Sequence, residues 1–111
     1  MSKQKTLGEF EILILAALIH QGRDAYGVSI RHEIDARAGQ TASLGAIYAT
    51  LHRLEKKGYV TSRMGEATAE RGGRAKKHYE ITAAGRIRFD HSLRVVQTMT
   101  AGIAPWPEAS S

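Results

Sequence analysis

The chain has 111 residues, 42% hydrophobic and 24% charged, with no cysteine and a formal net charge of +5 at pH 7. That length fits one domain with a modest core, and the lack of cysteine excludes disulfides, thiolate metal sites and a cysteine nucleophile. No N-terminal stretch has the form of a signal peptide, and the longest apolar run, Ile12 to Ile19, is too short to span a bilayer, so the expectation is a soluble cytoplasmic protein without a membrane partner.

Residues 1–5 are polar and are expected to be disordered. Thr6 and Glu9 have capping-box spacing and predict a helix from there to about His20 or Gln21, with Gly22 as its stop. Its body, F-E-I-L-I-L-A-A-L-I, is apolar on nearly every side. One domain needs one apolar stripe from such a helix, so Phe10, Leu13 and Ala17 are candidates for a second buried face against another chain. The plainer alternative is a central helix covered by its own domain. Asp24 is placed as the cap of a second helix, Tyr26 to Arg37 or Ala38, with Tyr26, Ile30 and Ile34 facing inward and Gly39 ending it.

Ser43 to Tyr59 reads as a third helix with two faces. Leu44, Ile47, Leu51 and Leu54 form an apolar stripe, while the opposite face is small at its start and cationic at its end. Small residues let a helix N-terminus approach another surface, and its unpaired N–H groups favour an anion. An ordinary amphipathic helix with a solvated outer face fits this stretch equally well. A short turn between the second and third helices gives the arrangement of a helix-turn-helix.

After Gly58 the period changes to two. Val60, Ser62 and Met64 alternate with Thr61 and Arg63, a glycine-rich polar loop follows from Gly65 to Gly73, and Arg74 to Ile81 reads as a second strand. The charge is concentrated here. Met1 to Leu51 carries five Lys/Arg and five Asp/Glu, whereas the 27 residues from His52 to His78 carry eight Lys/Arg and three Glu, a net +5. Basic charge confined to one region points to a polyanionic partner. Thr82 caps a final helix from Ala83 to about Ala101. There Phe89, Leu93, Val96 and Ile103 form a heptad-like seam, which Ile87, Val95 and Met99 widen. Such a face, with little left to cover in its own chain, marks an interface.

The fold class expected is mainly α with a two-stranded β-hairpin wing, a winged helix-turn-helix followed by a C-terminal helix. Residues 6–81 make the DNA-binding domain, 82–103 the dimerisation helix and 104–111 a flexible tail in which Trp106 alone is suited to docking. The five histidines are dispersed, and no Ser/His/Asp arrangement, P-loop or dinucleotide fingerprint is present, so no enzyme, metal or cofactor is expected.

Specific residues in this order resemble the PadR family of winged helix-turn-helix transcriptional regulators. They are L-G-E-F-E-I-L-I-L, A-Y-G, L-G-A-I-Y-A-T-L-H-R-L-E-K-K-G-Y-V, E-R-G-G-R-A-K-K-H-Y-E-I-T and T-A-A-G, covering Leu7 to Met99. The short last helix is similar to that of the family's small members. The resemblance implies a homodimeric, sequence-specific regulator of double-stranded DNA, usually a repressor, acting on an inverted repeat. The first and last helices would form the dimer, at Phe10, Leu13, Ala17, Phe89, Leu93, Val96, Met99 and Ile103.

Carried over by position, Ser43, Gly45, Tyr48, Ala49, Thr50, Arg53 and Lys57 would face DNA from the third helix, and Arg71, Gly72, Arg74, Lys76 and Lys77 from the wing. Ala49 and Thr50 are the candidates for base-edge contact. Tyr48 would donate to a phosphate, or else pack on the second helix. Ser43 would cap the helix whether or not it meets a phosphate. Lys57, Lys76 and Lys77 would supply sequence-independent charge, and Arg71 or Arg74 would enter the minor groove. Many members carry proline after the helix tyrosine, where this chain has Ala49, so base preference does not carry over. The resemblance also implies a small-molecule effector at the dimer interface, although the only tryptophan, Trp106, lies beyond Pro105. A protein-binding module that grips an acidic partner is the alternative function.

Overall fold

The computed structural model describes residues 5–65 and 76–107. Helix α1 (Glu9–Gln21) leads through a short 3-10 turn (Gly22–Asp24) into α2 (Gly27–Ala38), and α3 (Leu44–Lys56) follows. Strands β1 (Val60–Met64) and β2 (Lys77–Ile81) come next, and α4 (Ala83–Thr100) closes the order. The strands pair antiparallel, with Val60 opposite Ile81 and Met64 opposite Lys77. The tip of the predicted hairpin, and the predicted strand start at Arg74, lie outside the described residues.

The core is where the helical stripes converge. Ile14, Leu15 and Leu18 of α1, Ile30 and Ile34 of α2 and Ile47, Leu51 and Leu54 of α3 are buried, joined by Val60, Tyr79 and Phe89. Leu44, predicted to lie in the stripe, is only half-buried at the first position of α3. The hairpin is tied to this core by one more bridge: the Tyr79 N–H donates to the Ala25 carbonyl at 2.8 Å.

Two predicted caps are corrected. α1 starts at Glu9, with Gly8 as its N-cap, and the Glu11 carboxylate accepts the Gly8 N–H at 2.9 Å. The later start has a cause: the Leu7 N–H donates to Ser92 Oγ at 2.9 Å, which draws the preceding segment onto α4. The N-cap of α2 is Tyr26, whose N–H donates to Ser29 Oγ at 2.9 Å, while Asp24 belongs to the 3-10 turn. The Ser29 side chain also meets Gln21, whose amide donates to Glu33, and Arg37 pairs with the same carboxylate. Gln21 first, then Arg37, holds the Glu33 carboxyl below its usual pKa. This surface chain joins the end of α1 to the outer side of α2.

The predicted boundary at residue 82 cuts through packed structure. Thr82 caps α4 as expected, its Oγ accepting the Gly85 N–H at 3.0 Å and donating to the Gly58 carbonyl at 2.7 Å. Gly85, Phe89 and Ser92 are then buried, so the first half of α4 belongs to the core. From Arg94 onward every described residue is exposed. α4 is thus half core element and half free arm. Ile103 lies past the helix end and past Gly102, whose φ is +82°, so it leaves the predicted heptad register. Of the residues predicted to be disordered, 1–4 lie outside the described residues, and the Lys5 carbonyl accepts from Arg88 at 3.3 Å.

Candidate nucleic-acid interface

The outer face of α3 begins at its cap. Ser43 Oγ accepts the Ala46 N–H at 3.1 Å, which fixes the first turn, and Gly45, Ala46, Tyr48 and Ala49 are exposed beyond it. Steps of four, three and four align Gly45, Ala49, His52 and Lys56 along one exposed line, flanked by Tyr48 and Arg53. The start of this line carries almost no side-chain bulk, so another surface can approach the helix backbone closely. His52 and Lys56 were not among the expected contacts. The signal for both was present in the sequence: they continue the three-four spacing from Gly45 and Ala49.

Thr50 is corrected. It is 2% exposed, and its Oγ accepts from Arg53 Nη2 at 3.1 Å. It sits beside Ile47, Leu51 and Leu54 on the core side of α3, so its side chain is closed to a base edge. Its hydroxyl instead steadies the first of the long cationic side chains on this helix.

Tyr48 lies against the first turn of α2 and remains 43% exposed. A Cβ placed on Gly27 would fall 2.2 Å from the Tyr48 hydroxyl and 2.4 Å from Cζ. The ring therefore occupies the space a side chain at 27 would take. Tyr48 thus packs on the second helix and still leaves part of its side chain open to solvent.

At the base of the hairpin, Lys76 Nζ stands 4.3 Å above the Tyr26 ring, and Lys77 Nζ lies 5.8 Å from the centre of the Tyr79 ring. Both lysines are exposed. His78 sets its ring edgewise to Tyr26 at 5.9 Å. Burial pushes the Tyr79 phenol above its ordinary pKa, with Tyr48 and Glu55 adding to the shift, so the ring under Lys77 stays neutral. Ala25, Tyr26 and Gly27 thus touch both basic elements: Ala25 bridges to Tyr79, Tyr26 meets Lys76 and His78, and Gly27 receives Tyr48.

Other expected residues are placed differently. Lys57 is the C-cap of α3, and its Nζ reaches Glu11 at 3.4 Å, so its charge is partly engaged with α1. Arg71, Gly72 and Arg74 lie outside the described residues. Arg63, on β1, donates to the Arg23 carbonyl at 2.7 Å and faces Asp24 at 3.8 Å.

Of the eight expected dimer residues, Ala17 and Phe89 are corrected. Both are buried in the chain's own core. Phe10, Leu13 and Leu93 are half-buried at the edge of that core. Val96 and Met99 are 53% and 81% exposed, and Ile87, Val95 and Ile103 are exposed with them. Trp106 is 73% exposed and so is not docked on its own chain. Among the described residues, no helix is long and apolar enough to cross a membrane.

The sequence model of the transcriptional regulator PadR-like family matches residues 14–91. The chain is 31% identical over 84 residues to the transcriptional regulator Rv3488 of Mycobacterium tuberculosis, covering 74% of each protein. Its fold is similar to that of a transcriptional regulator from Clostridium thermocellum, with a TM-score of 0.68 and 27% identity over 81% of this chain and 84% of the other. F93 from STIV, a winged-helix DNA-binding protein, has the same fold at a TM-score of 0.69 and 17% identity, over 88% and 98% of the two chains.

Proposed function

Because the chain belongs to the PadR-like family of transcriptional regulators, whose members are DNA-binding winged-helix proteins and not enzymes, we propose that it is a homodimeric repressor of an inverted-repeat operator. The observation that carries this reading is the outer face of α3. Gly45 and Ala49 leave its N-terminal half bare, while His52, Arg53 and Lys56 make its far half polar and cationic. Such a face suits a major groove, with backbone approach and phosphate contact supplying much of the affinity.

In this reading Ser43, Gly45, Tyr48 and Ala49 face the duplex at the start of α3, with Tyr48 donating to a phosphate. Arg53 and Lys57 follow along the backbone. Lys76 and Lys77 neutralise phosphates beside the groove, Gly72 faces DNA with them, and Arg71 or Arg74 enters the neighbouring minor groove. Residues 6–81 act as the DNA-binding part and 82–103 as the dimerising helix, sharing the core through Phe89 and Ser92.

The test is duplex binding at several salt concentrations, with the mass measured in solution. Replacing Lys76 and Lys77 together by alanine should weaken binding to every duplex alike and reduce the slope of log affinity against log salt by about four, two for each half-site of the proposed dimer. An unchanged slope would remove the hairpin base from the phosphates. Equal, weak binding to all duplexes by a monomer would instead favour an acidic protein partner.

A small-molecule effector fits the free arm of α4. His91, Arg94, Val95, Thr98 and Met99 line an open depression there, and Trp106 lies beyond it in the chain. Planar aromatic compounds are expected to quench Trp106 fluorescence in the dimer and to change operator affinity. Absence of both effects would remove the effector from this reading.

A further inference from the structure

The A-Y-G turn at the start of α2 is more than a link between helices. We infer that Gly27 is a positioning residue for DNA binding: its missing side chain seats the Tyr48 ring across the first turn of α2 and so fixes where the Tyr48 hydroxyl meets the DNA backbone. The inference rests on the proposed phosphate contact of Tyr48.

Four features support it. Gly27 is buried and takes the first position of α2, after the Tyr26 cap. At that position helix propensity gives glycine no advantage over alanine. No left-handed φ calls for glycine at this position. What does call for it is the neighbouring ring, because a Cβ would lie 2.2, 2.4 and 2.8 Å from Oη, Cζ and Cε1 of Tyr48. These atoms are the far end of the side chain. The cheapest relief is therefore rotation of the ring off α2, which moves the hydroxyl while leaving the α3 backbone in place. The result is a change in DNA contact rather than a collapse of the core.

A double-mutant cycle on duplex affinity tests this, using Gly27→Ala, Tyr48→Ala, the double variant and Tyr48→Phe, with melting curves for each. Tyr48→Ala and Tyr48→Phe should each weaken binding about tenfold, since both lose the hydroxyl and only the first loses the ring. Gly27→Ala should cost about tenfold in the wild-type background and less than about twofold beside Tyr48→Ala. Equal losses in both backgrounds, or no loss in either, would overturn the inference, because Gly27 would then serve α2 itself. Should Gly27→Ala fail to fold alone, folding of the double variant would still show that the ring is what position 27 accommodates. Failure of both would overturn that. Full affinity of Tyr48→Phe beside a weak Tyr48→Ala would show that the hydroxyl's position does not matter. Unchanged binding by Tyr48→Ala is a separate failure, that of the phosphate contact, and is read from the single variant.

Discussion

Replacing Val96 and Met99 together by aspartate should yield a folded monomer whose affinity for an inverted-repeat duplex is lower by about 10²- to 10⁴-fold. Both side chains lie on the free arm of α4, and neither belongs to the core cluster. In the isolated chain the substitutions are surface changes, within about 0.5 kcal/mol of neutral. In a dimer that covers this face they bury four unpaired carboxylates, which apolar packing does not tolerate. The loss in DNA affinity follows from the proposed dimer, in which one recognition helix would read one half-site and the second contact would be intramolecular only while the two copies are joined. Solution mass, a melting curve and duplex affinity check the three parts. A variant that remains dimeric would place the interface elsewhere.

The second large effect concerns Gly85, and its sign is unusual. Alanine for glycine inside a helix ordinarily stabilises by about 0.5–1 kcal/mol. At Gly85 a Cβ would lie 2.2 Å from the Tyr59 carbonyl oxygen and 2.9 Å from Ile81 Cγ1. That carbonyl cannot step aside, because it accepts the Thr82 N–H at 3.0 Å, and the Tyr59 N–H is held by Leu54. Gly85→Ala should therefore destabilise the protein by about 3 kcal/mol, the upper part of the usual overpacking range, and lower the melting temperature by about 10 °C. Gly45→Ala is the control. Gly45 is an exposed helical glycine whose Cβ would meet nothing nearer than Ser43 Oγ at 4.0 Å, so there the ordinary stabilisation should appear. Matching signs at the two sites would mean that the α4–Tyr59 junction yields freely.

Much of this fold was legible because its periods are strong. The three-four stripe of Ile47, Leu51 and Leu54, the alternation after Gly58, and the stops at Gly22 and Gly39 are local features, and each is realised. The caps of α1 and α2 were misread because several residues of the right type competed. Thr6 and Asp24 have suitable side chains, yet Ser92, distant in sequence, and Ser29, five residues after Asp24, decide where the helices start. Thr50 looked like an outward residue because threonine is polar. In the structure it closes the core stripe at i+3 from Ile47 and i−4 from Leu54. Ala17 and Phe89 look like interface residues when each helix is taken alone, since each helix carries more apolar surface than one stripe needs. The structure divides α4 lengthwise, with the inward half ending at Ser92 and the free half starting at Arg94. The close approaches at Gly27 and Gly85 could not be read at all, since each depends on atoms of a separate element.

The lengthwise division of α4 also bears on how such a protein diversifies. A gene duplication leaves two copies that pair with each other indiscriminately until their contact surfaces diverge. In the proposed dimer those surfaces lie on the free half of α4 and can drift with little penalty to folding, because every described residue from Arg94 onward is exposed. The half that must keep its sequence and the half that can change meet at one residue, Leu93. New pairing preferences can therefore accumulate one substitution at a time, each inherited by a domain that still folds and still presents the same α3 face.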